Sequence, residues 1–289
     1  MQLKTVYILL LLFFLPVELA SAASNDVRSE CLRISNKLAS VGYDECIQRD
    51  LQASDGRSVN NLPVLIKEYP QLPGHREMTG RILLVGGIHG DEYASVSVIF
   101  KWMRILDLHH SGKFHWYIVP LLNPDGLLQK NSQRVNANGV DLDRNFPVSA
   151  DDQDPYQYWV EQTGSDPRLY PGEHPASEPE TRWLIQEIDS FKPDVIVALH
   201  APYDRVDYPG IAKDSYKIGH LDLNLPGTWP ASLANYAGVT RNIPIITVEL
   251  PFAEIMPTSS QVNEIWLDLM KRLEQQFPDT AITRTNPGH

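Results

Sequence analysis

Short apolar runs alternate along the chain with segments whose apolar residues recur at helical spacing. Runs at 62–69, 81–85, 114–122, 194–199 and 245–248 predict buried strands. Helical spacing predicts helices over 92–108, 177–190 and 262–277, with a short helix near 232–237. Because continuously apolar strands that alternate with helices are typical of a parallel sheet covered on both faces, we predict an α/β fold. The expected architecture is a three-layer α/β/α sandwich with a mostly parallel mixed sheet.

The segments between these elements are rich in turn residues. Ser54-Asp55-Gly56 and Asn123-Pro124-Asp125-Gly126 predict turns, and residues 148–176 and 201–230 predict long irregular loops. Ser177 is the expected N-cap of its helix, with Glu180 at the capping-box position.

The first 22 residues have the pattern of an export signal. Lys4 precedes an apolar run over 6–17, and Ala20-Ser21-Ala22 fits the small-residue rule for cleavage. We therefore predict that residues 1–22 are removed and that the protein is exported. This run is too short to span a bilayer comfortably, and no apolar run of 18 residues occurs elsewhere, so we expect no stable membrane anchor.

The chain has two cysteines, Cys31 and Cys46. In an exported protein such a pair favours one disulfide, closing a loop of about 15 residues and contributing ~3 kcal/mol, although two buried thiols are the alternative. Residues 23–60 are therefore expected to form an N-terminal segment with a disulfide. Residues 61–277 would form one main domain, followed by a loose tail at 278–289.

The balance of charge excludes some partners. The formal net charge is −11, and the sequence contains no run of Lys or Arg. This pattern argues against nucleic acids and anionic membrane surfaces as partners.

Candidate chemistry lies at the ends of predicted strands. In Gly-Gly-Ile-His-Gly-Asp-Glu at 86–92, His89 and Glu92 lie three positions apart where a strand gives way to a helix, so both can reach one cation such as Zn²⁺. The pair alone is equally compatible with a surface histidine beside a first-turn glutamate.

His200 and Glu249 also end apolar runs, and ligand sites in parallel sheets lie beyond the carboxyl ends of strands. A carboxylate directly after a buried run is costly unless it is paired or functional.

Six motifs occur in the order found in one known family. They are Gly-Gly-Ile-His-Gly-Asp-Glu at 86–92, Asn-Pro-Asp-Gly at 123–126, Gly-Val-Asp-Leu-Asp-Arg-Asn-Phe-Pro at 139–147, Ser-Glu-Pro-Glu-Thr at 177–181, Ala-Leu-His at 198–200 and Thr-Val-Glu-Leu-Pro at 247–251. Over roughly residues 60–275 the chain resembles the zinc metallocarboxypeptidases and, within them, the murein peptide amidases of Gram-negative bacteria.

The resemblance implies one Zn²⁺ per chain, bound by His89, Glu92 and His200, with a fourth position left for water. It also implies that Glu249 is the general base, which takes a proton from water and later delivers it to the leaving amine.

Two arginines and their neighbours complete the implied site. Arg134 corresponds to the arginine that stabilises the oxyanion, and Arg144 to the arginine that holds a substrate carboxylate by bidentate contact. Asn145 belongs to the same substrate-binding motif. Asp143 stands where the family usually has Asn, so we expect it to face the substrate and either to pair with a substrate ammonium or to orient Arg144. An aspartate that faces solvent or a loop amide is the alternative.

A tyrosine that caps the substrate in many members of the family has no matching position here. The candidates are Tyr203, Tyr208, Tyr216 and Tyr236.

The implied activity is that of an exported, periplasmic zinc metallopeptidase that cuts a peptide bond beside a residue with a free carboxylate. The preferred substrate is the γ-D-glutamyl–meso-diaminopimelate bond of murein peptides. A general carboxypeptidase acting on peptide C-termini, a deacylase of small N-acyl amino acids and a non-catalytic module that binds wall peptides are the alternatives. The complete set of implied ligands together with Glu249 disfavours the non-catalytic module.

Overall fold

The computed structural model describes residues 15–72, 80–203, 205–207, 217–224 and 229–277, with the backbone alone for 15–24, 205–207, 217 and 222–224. Most of the predicted signal segment, up to residue 14, and the predicted tail at 278–289 lie outside the described residues. The boundaries expected at residues 22, 60 and 277 stay predictions. Among the residues described, no helix combines the length and apolarity needed to cross a bilayer.

Helices and strands alternate through most of the chain. The helices are α1 (Leu15–Lys37), α2 (Tyr43–Gln48), α3 (Tyr93–His109), α4 (Pro124–Leu128), α5 (Pro155–Thr163), α6 (Pro179–Phe191) and α7 (Ser259–Gln276), with 3₁₀ turns at Leu142–Arg144 and Pro167–Leu169 and a π-helix at Asn235–Thr240. The strands are β1 (Gln52–Arg57), β2 (Pro63–Tyr69), β3 (Gly80–Val85), β4 (Phe114–Val119), β5 (Val195–His200), β6 (Arg205–Asp207), β7 (Lys217–Ile218), β8 (Leu221–Asn224) and β9 (Ile245–Glu249).

The strands form one mixed sheet in the order β1-β2-β4-β3-β5-β9-β6-β8-β7. The central strands β4, β3, β5 and β9 are parallel, whereas β1, β2 and β6 join by antiparallel pairing. Because parallel strands end at the same edge, the ends of β3, β5 and β9 meet there, and His200 and Glu249 are register partners. The predicted α/β fold with a mostly parallel mixed sheet is confirmed.

Apolar side chains of the central strands pack on both faces of the sheet. Leu84 and the other alternate residues of β3 join one apolar cluster with α3 and α7, where the rings of Trp102 and Trp266 lie 5.4 Å apart. Leu83 faces the opposite side and joins Trp183 and Leu184 of α6. Burial on both faces explains why these strands read as continuous apolar runs.

A disulfide joins Cys31 of α1 to Cys46 of α2, as predicted, with both residues fully buried. The hairpin that they close lies against α3. Lys101 Nζ lies 2.9 Å from Glu45 Oε1, and the hydroxyls of Ser40 and Ser97 lie 2.6 Å apart. The N-terminal segment therefore packs on the helix that follows the His89 loop.

Two predicted turns are regular structure instead. β1 covers 52–57 and so includes the predicted turn at 54–56. The Ser54 hydroxyl donates to Val64 O. A register shift between Ala53 and Arg57 accommodates the residues of β1 that have no partner in β2. Gly56 permits the indole of Trp183 to approach, since an added Cβ would lie 2.6 Å from that ring. At 123–126 the chain enters α4 rather than forming only a turn, with Asn123 Oδ1 accepting from Gly126 N as an N-cap.

The predicted loops contain further elements. α5 lies within 148–176, with Asp154 as its N-cap, and β6, β7 and β8 lie within 201–230. The N-cap of α6 is Glu178, one residue later than predicted, because the Ser177 hydroxyl donates to Glu178 Oε1 instead of capping the helix. The short helix predicted near 232–237 is the π-helix Asn235–Thr240.

Candidate metal centre and catalytic site

The loop after β3 brings His89 to the edge of the sheet. This loop packs on the start of α4 so tightly that a Cβ added to Gly90 would lie 2.2 Å from the carbonyl carbon of Gly126. Asn123 N donates to Gly87 O, and Asn123 Nδ2 donates to Ile88 O. The glycines therefore allow a close backbone approach that fixes the position of His89.

His89, Glu92 and His200 converge in the interior, each less than 5 % exposed. Their ligand atoms all lie within 4.8 Å of one another. His89 Nδ1 lies 2.7 Å from Glu92 Oε1, while His200 Nδ1 lies 3.2 Å from Glu92 Oε2 and 3.1 Å from His89 Nδ1.

These distances fit a small cation. Donor atoms at about 2.0–2.1 Å from a tetrahedral zinc are roughly 3.3 Å apart, close to the separations within this group. Two imidazoles and one carboxylate form a donor set that suits zinc and leaves a coordination position for water.

The electrostatics of the group also favour a cation. Burial raises the pKa of Glu92, but His89 and His200 lower it more, so the net direction is downward. Burial lowers the pKa of His200, yet Glu92 raises it to about 9. Burial and Arg134 lower the pKa of His89, while Glu92 and Asp141 raise it above its ordinary value. The positive charge held here by protons is one that a metal can replace, since metal binding requires neutral imidazoles and releases those protons.

Asp141 is a site residue that sequence reasoning missed. Its Oδ1 lies 3.0 Å from His89 Nε2, and its Oδ2 accepts from Arg134 Nε at 2.9 Å. Asp141 is fully buried, and although burial raises its pKa, Arg134 and His89 hold that pKa well below its usual range. A carboxylate on the far nitrogen of a ligand histidine fixes the ring and the tautomer. The signal available in the sequence was an acidic residue that directly follows one apolar residue, Val140, and precedes another, Leu142.

Arg134 and Glu249 lie beside this group. Arg134 Nη1 lies 3.5 Å from Glu92 Oε1, and the guanidinium is mostly buried. Burial lowers the pKa of Arg134, but Asp141 and Glu92 raise it above the ordinary value, so its positive charge is secure. Glu249 is 8 % exposed at the end of β9, opposite His200, and its charge helps to raise the pKa of His200.

Arg144 lies in the 3₁₀ turn Leu142–Arg144 and is held on two sides. Its Nη1 donates to Asp143 O at 2.6 Å and to Asp143 Oδ2 at 3.2 Å. Its guanidinium carbon lies 4.5 Å from the centre of the Trp229 ring. The other oxygen of Asp143, Oδ1, accepts from Leu233 N at 2.9 Å. Asp143 therefore contacts both a loop amide and Arg144.

Asn145 is fully buried, and its side-chain contacts are internal. Its Nδ2 donates to Pro171 O, His174 O and Ser177 Oγ, and its Oδ1 accepts from Glu178 N.

Aromatic residues that sequence reasoning did not assign to the site form a wall beside Arg144. A small cavity there is lined by Tyr158 and Trp159 of α5, by Trp229 and by several prolines. Tyr158 and Trp229 meet edge to face with centroids 5.2 Å apart.

The tyrosine candidates differ in their surroundings. Tyr236 is buried, stacks on Phe146 and accepts from Arg241 Nη1. Tyr203 is 61 % exposed just beyond β5. Tyr208 and Tyr216 lie outside the described residues.

Comparison with known proteins agrees with this geometry. Residues 52–218 match the zinc carboxypeptidase family. Murein peptide amidase A of Escherichia coli K12 is 31% identical over 78% of this chain and 90% of its own length, and that of Vibrio campbellii is 32% identical over 78% and 88%.

Solved structures show the same architecture. The murein-tripeptide amidase of Escherichia coli O157 superposes with a TM-score of 0.52 at 27% identity, covering 78% of this chain and 91% of that one. Carboxypeptidase A of Helicoverpa armigera shares the fold with a TM-score of 0.57 at 14% identity, over 79% of this chain and 70% of that one. The chain therefore belongs to the zinc carboxypeptidase family, and it is a zinc metallopeptidase whose candidate ligands are His89, Glu92 and His200.

Proposed function

We propose that this metallopeptidase is exported to the periplasm and hydrolyses the γ-D-glutamyl–meso-diaminopimelate bond of murein peptides. The observation that carries the proposal is similarity to murein peptide amidases along nine-tenths of their length. The disulfide between Cys31 and Cys46 supports export, because such bonds persist in oxidising compartments.

His89, Glu92 and His200 would hold the metal, which when bound supplies a Lewis acid and makes water more acidic. Glu249 would act as general base, taking a proton from the attacking water and passing it to the leaving amine. Its position opposite His200 in the strand register supports this role.

Arg134 would stabilise the negative charge that develops on the carbonyl oxygen. Its contact with Asp141 fixes the guanidinium before substrate arrives, and preorganised donors are the ones that contribute most to such stabilisation.

Arg144 would bind the free carboxylate of the residue released by cleavage. Asp143 would orient Arg144, since its Oδ2 contacts that guanidinium and its Oδ1 is anchored on Leu233 N. Asn145 would support this motif from within rather than touch substrate, because its side chain is fully buried and bound to neighbouring loop groups.

The test is mass spectrometry of the products after the zinc-loaded protein is incubated with L-alanyl-γ-D-glutamyl-meso-diaminopimelate. Release of free diaminopimelate is expected. A blocked dipeptide with an ordinary α-peptide bond is the comparison substrate. Cleavage of the dipeptide alone would indicate a general carboxypeptidase, and binding of the tripeptide without cleavage would indicate a non-catalytic module.

A further inference from the structure

The segment from Arg134 to Asp141 touches the metal centre at both ends. Arg134 Nη1 lies 3.5 Å from Glu92 Oε1, and Asp141 Oδ1 lies 3.0 Å from His89 Nε2. The two end residues also bind each other, with Arg134 Nε donating to Asp141 Oδ2 at 2.9 Å. Any shift of the turn between them would therefore disturb contacts to two of the candidate ligands.

Asn136 closes this turn. The residue is 2 % exposed, and its Oδ1 accepts from the backbone N–H groups of Asn138 and Val140 at 3.0 and 3.1 Å. Its own N–H donates to Val140 O, and Gly139 N donates to Asn136 O. One buried side chain thus fixes the local path of the chain between Arg134 and Asp141.

Two buried carboxylates from the start of α6 hold Asn136 in turn. Its Nδ2 donates to Glu178 Oε2 at 2.7 Å and to Glu180 Oε2 at 3.2 Å. Glu178 Oε2 also accepts from Asn138 Nδ2, and Glu180 Oε1 accepts from Val59 N. Both carboxylates are at most 3 % exposed. They belong to the Ser-Glu-Pro-Glu-Thr motif at 177–181, which the catalytic roles above do not explain.

Holding two carboxylates so close together in the interior is costly. Burial raises the pKa of Glu180 to about 7, with Asp125 of α4 adding to the rise and the bonds from Asn136 and Val59 opposing it. The Asn136 amide lies between the two carboxyl groups and offers each a hydrogen. A second acceptor at that position would repel the Glu178 carboxylate and, once the pH exceeds about 7, that of Glu180 as well.

We propose that Asn136 is a positioning residue for the reaction. By tying the 134–141 turn to Glu178 and Glu180, it sets Arg134 and Asp141 against the candidate ligands. It acts through those two residues, and none of its hydrogen bonds within the described part of the chain goes to a candidate ligand. The test by activity rests on the proposed function, whereas the test by hydrogen exchange at Arg134 does not.

The first variant is Asn136→Asp. It keeps the acceptor for the two backbone N–H groups and replaces the donor with an oxygen that faces Glu178 and Glu180. We expect kcat/KM on the murein tripeptide to fall about 100-fold, mainly through kcat, because a small displacement of a positioned group can cost that much. Zinc content should stay at one per chain. Asn263→Asp, an exposed change on α7, adds the same charge elsewhere and serves as the control.

In the double variant Asn136→Asp/Glu178→Gln the donor and the acceptor exchange places: the acceptor is at position 136 and the donor at position 178. We expect it to recover at least about tenfold of the lost kcat/KM, since the new amide can donate to the new carboxylate.

The second readout needs no substrate. In ¹⁵N-labelled protein, the Arg134 Nε–H signal, assigned by its loss in Arg134→Lys, reports the bond to Asp141. Its hydrogen exchange should be slow in the wild type, at least about tenfold faster in Asn136→Asp, and slow again in the double variant. If Asn136→Asp fails to fold, Asn136→Ser removes the same donor without adding charge and is expected to give the same acceleration.

Wild-type exchange and wild-type kcat/KM in a folded Asn136 variant would overturn the proposal, as would a folded double variant that recovers neither. If the wild type leaves murein tripeptide uncut, the proposed function fails, while the exchange measurement still decides the role of Asn136.

Discussion

The buried carboxyl group of Glu180 makes the stability of the fold depend on pH, and Glu180→Gln tests this. Because the pKa in the folded protein, about 7, is above the ordinary value of 4.5, the folded state binds a proton that the unfolded chain has released. The stabilisation from this group is therefore complete below about pH 4.5 and is lost as the pH rises through 7. Glutamine has no such proton and should remove this part of the pH dependence.

The magnitude follows from the two pKa values. Each tenfold change in acid dissociation corresponds to about 1.4 kcal/mol. The gap between about 7 and 4.5 then gives on the order of 3 kcal/mol in total, most of it between pH 5 and pH 8. For a domain of this size, that is a relative shift in Tm of about 5–10 °C.

The assay is urea unfolding of the zinc-loaded wild type and of Glu180→Gln at pH 5, 6, 7 and 8, followed by tryptophan fluorescence. The difference between the two proteins cancels the titration of other groups, including the candidate ligands. The wild type should lose stability relative to the variant as the pH rises. Glu264→Gln, an exposed change on α7, should show no such trend. A difference between wild type and Glu180→Gln that is constant with pH, or grows in the opposite sense, would refute the reasoning.

Four further predictions concern the site and the disulfide. His200→Ala removes one of three candidate ligands, so elemental analysis should find little zinc, and full zinc content would show that the metal lies elsewhere. Glu249→Gln should keep zinc while turnover falls ~10²–10⁴-fold, the usual contribution of a general base, and near-normal turnover would assign proton transfer to another group. Cys31→Ser/Cys46→Ser should lower the free energy of unfolding by about 3 kcal/mol for this 15-residue separation but leave kcat unchanged. Urea midpoints equal to those of the wild type would contradict that. Asp143→Asn should raise KM about tenfold on the diaminopimelate tripeptide and on its lysine counterpart, the cost of one charge-assisted hydrogen bond to Arg144, and unchanged KM on both would remove Asp143 from the site.

The centre of the fold could be predicted from the sequence because its strands are buried on both faces and therefore read as continuous apolar runs. The edges could not be predicted in the same way. β1 is half-exposed and contains Ser54, Asp55 and Gly56, whose local preference is for a turn. Its pairing with β2 and the packing of Trp183 on Gly56 override that preference.

α5 was missed because it is short and mostly exposed, so its apolar spacing is weak, although Asp154 and Pro155 signal its start.

The candidate ligands could be predicted because each lies at or just beyond the end of a recognisable strand. Their support could not, since it consists of contacts between distant segments. Asn136 meets Glu178 across 42 positions of sequence, and Asp141 meets His89 across 52. No local pattern distinguishes a buried asparagine that joins two segments from one in a solvated turn.

The surroundings of Arg144 bear on which substrates the site can favour. A lone arginine attracts any carboxylate. Arg144, however, already lies 3.2 Å from the carboxylate of Asp143, and the ring of Trp229 packs on one face of its guanidinium. The pair is close to neutral, so a simple anion gains less from approaching it than from approaching an unpaired guanidinium. A group that presents an ammonium and a carboxylate together can satisfy both members at once. The distal end of meso-diaminopimelate has those two charges on one carbon, whereas an ordinary peptide C-terminus has the carboxylate alone. Under the proposed function, an aspartate at position 143, where the family usually has asparagine, would favour a zwitterionic end group over a plain anion, and hence a murein peptide over a general protein substrate.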